Sequence, residues 1–220
     1  PPGLDLASID AMLQACDNAG TRCFVVLQNR LNPPVVALKR ALDERRLGRV
    51  CLIHASVLWC RPQAYFDEAA WRGTRDLDGG VLMNQACHYL DLLQWLVGDV
   101  SEVAAFGATR ARQIAAEDTA VVAVRFACGA VGSLSATVAV QPRNFEGGIT
   151  VIGSSGTVRI GGVALDRVEH WGLLDVQDGD PVPISMVAPN VDVYGTGHVG
   201  WYQAVVEALT TGQTTPFEGP

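Results

Sequence analysis

Apolar residues recur at helical spacing in the first stretch of the chain. Leu6, Ile9, Met12, Leu13 and Cys16 fall on one face and Gly20 suits a C-terminal cap, so residues 4–20 are predicted as an amphipathic helix. The unbroken run Arg22-Cys-Phe-Val-Val-Leu-Gln28 reads as a fully buried strand. A helix feeding a buried strand is how an α/β domain ends rather than begins. A second helix starts at Pro33-Pro34, where proline is tolerated in a first turn, and stops before Gly48; Val35, Leu38, Ala41 and Leu42 give it a buried stripe. Residues 49–59 read as a long strand, 67–80 as a polar loop with a short helical turn, and 81–97 as one long helix capped by Gly98.

Beyond residue 103 the period changes. Strand-like runs at 103–108, 120–126, 130–140, 148–152, 157–160 and 168–171 are separated by turn signals such as Cys128-Gly129 and Gly153-Ser-Ser-Gly156. Successive strands with short connections predict an antiparallel sheet. A final helix is expected over 200–211. The fold class is therefore α+β: a large open, mostly antiparallel sheet with helices packed on one face. The other face needs a cover, and a second copy of the chain supplies it most simply, so a homo-oligomer (dimer or tetramer) through the sheet is expected.

Composition narrows the function. With 49% hydrophobic and 18% charged residues the chain suits a globular core, and a net charge of −7 argues against a nucleic-acid partner. The densest basic group, Lys39, Arg40, Arg45 and Arg46, reads as a solvated helix face. Six cysteines are spread singly without a C-x-x-C pair, which points to reduced thiols, a cytoplasmic setting and no metal site. Apolar runs are too short for a bilayer, so no membrane partner is expected.

The predicted helix 81–97 carries the candidate chemistry. Asn84, His88, Asp91 and Trp95 share one face, while Val81, Leu82, Gln85, Leu92, Leu93 and Leu96 occupy the side expected against the sheet. Two readings of His88 stand open: a structural histidine bonded to Asp91, or a proton shuttle at a substrate hydroxyl with Asp91 orienting the ring. Asn84 moves no proton at neutral pH and serves only as a hydrogen-bonding group. Asp78-Gly-Gly80 gives the helix entrance free amides.

The segment Gly79-Gly-Val-Leu-Met-Asn-Gln-Ala-Cys-His-Tyr-Leu-Asp91 resembles the G-G-x-x-x-D-x-x-x-H-x-x-D signature of the glucose–fructose oxidoreductase / inositol dehydrogenase / MocA family. Asn29-Arg30-Leu-Asn-Pro33, Glu117-Asp-Thr119, Gly153-x-x-Gly-Thr157 and Tyr194-x-x-Gly-His198 are similar to the C-terminal domain of that family, in the same order. The resemblance implies a two-domain dehydrogenase, with NAD or NADP on an N-terminal Rossmann domain and the sugar on the C-terminal domain. Residues 1–28 are then the end of the Rossmann domain, and 29–220 the substrate-binding and oligomerisation domain.

Carried over, His88 is the catalytic histidine and Asn84 its companion, standing where many members have Asp. A subset acting on nucleotide sugars, the UDP-N-acetylglucosaminuronate 3-dehydrogenases, is similar also in Trp59-Cys-Arg-Pro-Gln-Ala-Tyr65 and Trp71-Arg-Gly-Thr74. Arg61, Trp71, Arg72 and Asp91 are therefore expected to bind substrate, Tyr194 and His198 (with Tyr202) to line the pocket from the other side, and Asn29 and Arg30 to meet the cofactor. The family's lysine in Glu-Lys-Pro corresponds to Pro1-Pro2-Gly3, so a fragment cut at both ends is expected. Gly195-Thr-Gly-His-Val-Gly200 matches a dinucleotide loop, but no clear strand precedes it and too little chain follows for a βαβ unit. The rival function is a non-catalytic sugar-binding or oligomerisation module.

Overall fold

A computed structural model describes residues 3–183 and 193–219; Pro1 and Pro2, in the place of the lysine motif, lie outside the described residues. Strands β1 (Val50–Leu58), β2 (Val100–Ala108), β3 (Thr119–Phe126), β4 (Val131–Thr137), β5 (Glu146–Gly153), β6 (Gly156–Gly161) and β7 (Arg167–Leu173) form one sheet in the order β2-β3-β4-β1-β5-β6-β7. Every pairing is antiparallel except β1 with β4, which run parallel with Ile53 opposite Gly132. The mostly antiparallel sheet expected from the alternation is thus present. The inserted β1 adds the one parallel contact: helices and then β2 and β3 lie between β1 and β4 in the chain, so the two are not joined by a hairpin.

Ile53, Ala55 and Val57 of β1, Leu134 and Ala136 of β4, and Ile149 and Val151 of β5 are buried on one face. Helix α2 (Pro33–Asp43) brings Val35 and Leu38 to this core, and helix α5 (Cys87–Val97) brings Tyr89, Leu92, Leu93 and Leu96. Among the described residues no element covers the opposite face. Leu52, Phe106, Val121, Val131 and Ile152 stand exposed on it around a polar centre in which His54 Nδ1 meets Ser133 Oγ at 3.0 Å.

Three local expectations need correction. Residues 22–28 form no strand within the sheet: Phe24 makes a single bridge with Glu218, and Gln28–Leu31 is a short 3₁₀ helix. The segment is tied down by the chain's other end, with Arg22 bonded to Glu218 at 2.5 Å and Trp201 Nε1 donating to Val25 O at 2.9 Å. The preceding helix α1 (Leu6–Asn18) forms as expected, yet buries none of its residues.

Arg46 is not on a solvated face. It is 9% exposed and forks onto Asp180 at 2.6 and 2.8 Å, with Asp175 O also accepting at 2.7 Å. The pair keeps the Asp180 carboxyl down near pKa 2.

The third correction is the break in the expected long helix. Helix α4 (Gly80–Met83) stops at Asn84, whose φ −94 and ψ −72 turn the chain, and α5 begins three residues later. Asn84 Nδ2 is bonded to the buried Asp78, Asn84 O accepts from Cys87 Sγ at 3.2 Å, and Ala86 N reaches back five residues to Val81 O at 2.9 Å, so the regular helical ladder is interrupted here.

Candidate active site

The two glycines before the break have a structural duty each. Gly79 and Gly80 sit at φ +71 and +77, conformations that side chains resist, and a Cβ on Gly80 would lie 2.3 Å from Glu117 Oε2. Glu117 uses that space: its carbonyl accepts from Val81 N at 2.9 Å and its carboxylate from Leu82 N at 3.3 Å. The next residue, Asp118, is fully buried and gathers the amides of Arg110, Ala111 and Arg112 at 2.6–3.1 Å. Burial would raise its carboxyl, but these amides outweigh that and hold it below the usual carboxylate range. Glu117 and the two glycines thus fix where α4 starts, and Asn84 ends it one turn later.

That ending points Asn84 and His88 at one cavity of about 120 Å³. Gln28 and Asn29 from the 3₁₀ helix, Trp59, Arg61 and Tyr65 beyond β1, Gln85, and Val193 and Tyr194 complete its wall. At roughly 30 Å³ per water, the space accommodates part of a sugar and not a whole nucleotide. His88 is partly buried, and burial pushes its imidazole below the ordinary histidine range, with nearby Asp91 opposing. The ring at neutral pH is therefore uncharged and able to take a proton.

Asp91 does not orient that ring. Its two oxygens accept from Arg30 Nε at 2.8 Å and Nη2 at 2.5 Å, and no hydrogen bond joins it to His88 among the described residues. Arg30, also 5.3 Å from the Trp95 ring, is spent on this pair and is a brace between the 3₁₀ helix and α5. Asn29, 4% exposed, does reach the cavity wall.

Arg61 lies 5.2 Å from the Trp59 ring and 5.6 Å from Tyr65, and donates to Cys60 O at 2.9 Å and Asn144 Oδ1 at 3.1 Å. Arg72 stands outside the wall. It stacks on Tyr65 at 4.1 Å and donates to Tyr65 O and Glu68, so its work is to hold the short helix α3 (Gln63–Asp67) that carries Tyr65. Trp71 is 43% exposed and outside the wall too. His198 packs edge-on against Tyr194 at 5.8 Å without lining the cavity, and Tyr202 is exposed on helix α6 (Gly197–Thr211).

Three wall residues escaped the sequence reading. Gln28, Trp59 and Gln85 are 2%, 5% and 5% exposed, and Gln28 Oε1, Trp59 Nε1 and Gln85 Nε2 have no hydrogen-bond partner in the described structure. The available signal was an amide, Gln85, on a helix face otherwise built of leucine and valine.

The glycine-rich match at 195–200 is a packing feature. A Cβ on Gly197 would lie 1.9 Å from Gln28 O, and Gly197 N donates to Asn32 Oδ1 at 3.0 Å, so these residues let α6 close on the 3₁₀ helix. A larger hollow of about 640 Å³ lies between Arg159, Arg167 and the 140–146 loop. Its Arg159 is answered by Glu146 at 3.0 Å and Glu169 at 2.7 Å, leaving an internal ion-pair network rather than a receptive site.

Residues 35–159 match the profile of the GFO/IDH/MocA C-terminal domain. Over 96% of its length the chain superimposes on the WlbA dehydrogenase of Bordetella pertussis, solved with NADH and UDP-GlcNAcA, at 42% identity and a TM-score of 0.86, covering 60% of that protein. A curated relative, levoglucosan dehydrogenase of Pseudarthrobacter phenanthrenivorans, is 25% identical over 172 residues, which are 67% of this chain and 44% of that protein. The chain thus spans 60% of the first protein's length and matches less than half of the second's. With a family profile filling more than half of its residues, and the Gly79–Asp91 signature at the cavity, this chain belongs to the GFO/IDH/MocA family.

Proposed function

We propose that the chain is the substrate-binding part of an NAD(P)-dependent dehydrogenase that oxidises a sugar hydroxyl. In this reading residues 1–28 are the end of a dinucleotide-binding domain and 29–220 the sugar-binding and oligomerisation domain. One observation carries it: a partly buried His88, its imidazole pushed below the ordinary histidine range, opens on a small cavity whose other walls, Val193 apart, carry hydrogen-bonding groups. The nicotinamide supplies the hydride acceptor, held mainly by the dinucleotide-binding domain. Asn29, buried at the wall, fits a contact with its carboxamide, whereas Arg30 is committed to Asp91 and does not fit.

The division of labour follows from the side chains. Asn84, with its amide nitrogen on Asp78, keeps its oxygen to accept from a hydroxyl next to the reacting one, which orients the ring and leaves the reacting proton to His88. His88 then takes the hydroxyl proton as the carbinol carbon loses hydride. Arg61 and the aromatic rings beside it bind the rest of the sugar. The 42% identity to a protein bound to UDP-GlcNAcA supports a nucleotide-linked hexuronate as substrate class.

The partly exposed apolar surface of α1, where Leu6 is 78% exposed, suits packing within the dinucleotide-binding domain, and the open sheet face suits a second copy. A second reading, a sugar-binding module without redox chemistry, draws on Asn84 standing where the family pattern has Asp. The two readings part on one measurement. In the full-length protein, His88→Ala is expected to lower kcat by roughly 10²-fold or more; a loss below about tenfold would demote His88 to a binding residue.

A further inference from the structure

We propose that Trp59 and Gln85, together with Arg61, are specificity-determining residues that read a carboxylate on the sugar ring. This rests on the sugar-binding reading above. Among the described residues, Arg61 is the single charged side chain at the cavity wall, and none of those lining it is acidic. Its guanidinium has only neutral partners, Cys60 O and Asn144 Oδ1, and forms no ion pair among the described residues. The contrast with its neighbours is plain: Arg30 is paired with Asp91 and Arg72 with Glu68. An uncompensated cation at a partly enclosed wall favours an anionic ligand group.

The donors around it sharpen that to a carboxylate. Trp59 and Gln85 line the same cavity, and their buried Nε1 and Nε2 have no hydrogen-bond partner among the described residues. A buried donor without a partner is costly to the fold, so such groups persist where a ligand or water answers them. An indole N–H donates only, so whatever meets Trp59 must be an acceptor. A carboxylate offers two oxygens with about four lone pairs, enough for both neutral donors and one arm of the guanidinium. Gln28 Oε1, the buried unpartnered acceptor on the 3₁₀ helix, is left for a hydroxyl or amide N–H of the same sugar.

The test uses the full-length protein titrated by calorimetry with two probes, UDP-GlcNAcA and its neutral counterpart UDP-GlcNAc. The wild type is expected to bind the acid at least about tenfold more tightly. Trp59→Phe keeps the ring and removes only the N–H; Gln85→Met keeps the volume and removes the amide. Each is expected to weaken the acid by roughly tenfold and to leave the neutral sugar within about twofold. Unfolding midpoints identify a variant that fails to fold; Gln85→Glu, isosteric and anionic, then serves as the second probe and should reject the acid selectively.

Equal weakening of both sugars, no weakening of either (the outcome if ordered water alone answers these groups), or a wild type that binds both alike or neither would overturn the proposal. The oxidoreductase reading fails separately, if bound sugar produces no NADH.

Discussion

A histidine in this position is defined by its surroundings more than by its own chemistry. His88 is kept below its ordinary pKa mainly by burial, while Asp91 pulls the other way and is itself tied to Arg30. The unfolded chain therefore binds a proton more readily than the folded one. Stability should fall as pH drops from about 6.5 through the lower folded value. The same titration governs chemistry. In the full-length protein the acid limb of kcat/KM is expected to bend below pH 6.5 or so and to disappear in His88→Asn. A limb that survives unchanged in the variant would assign it to another group. His88 was legible in the sequence because a motif marks it, and Arg61 because an arginine between aromatic residues is conspicuous. Gln28, Trp59 and Gln85 were not, since nothing in a linear pattern distinguishes a buried amide facing a cavity from one facing leucine.

At the scale of elements, the decisive feature is the break between α4 and α5. The spacing of Val81, Leu82, Leu92, Leu93 and Leu96 is compatible with one continuous helix, and hydrophobic periodicity carries no sign of the interruption. The break arises from contacts outside the helical pattern: Asp78, six residues earlier, fixes Asn84, and the distant Glu117 takes the first amides of α4. Gly80 is the hinge of this arrangement. Gly80→Ala would meet both a positive φ and the Glu117 carboxylate, and is expected to lower unfolding free energy by about 2 kcal/mol or more, read from the denaturant midpoint. A change within about 0.5 kcal/mol would show that Glu117 swings aside without consequence. The residues 22–28 teach the converse lesson. An apolar run signalled a buried strand, but the sheet offers that segment no neighbour and it pairs with residues 217–218 instead.

The whole molecule is a half-covered sheet. One face carries α2 and α5; the other presents Leu52, Phe106, Val121, Val131 and Ile152 with Phe106 85% exposed. A surface of this kind is the expected seat of the proposed homo-oligomer. Phe106→Arg combined with Val121→Glu, both on this face and far from the cavity wall, should shift the sedimentation of the protein to a smaller species while its circular dichroism stays native. Unaltered sedimentation of a wild-type oligomer would place the interface elsewhere.

The α+β class, most strands, the second and last helices and the identity of the signature residues followed from the sequence alone. Period-two alternation, proline and glycine punctuation and a spaced motif are local properties that a linear chain expresses directly. The place of β1 between β4 and β5, the helix break at Asn84 and the Arg30–Asp91 pair belonged to the tertiary structure. So did the convergence of three unpartnered polar groups on one cavity. These depend on which distant groups share a buried volume, and burial sets both the value of a hydrogen bond and the charge state of a histidine.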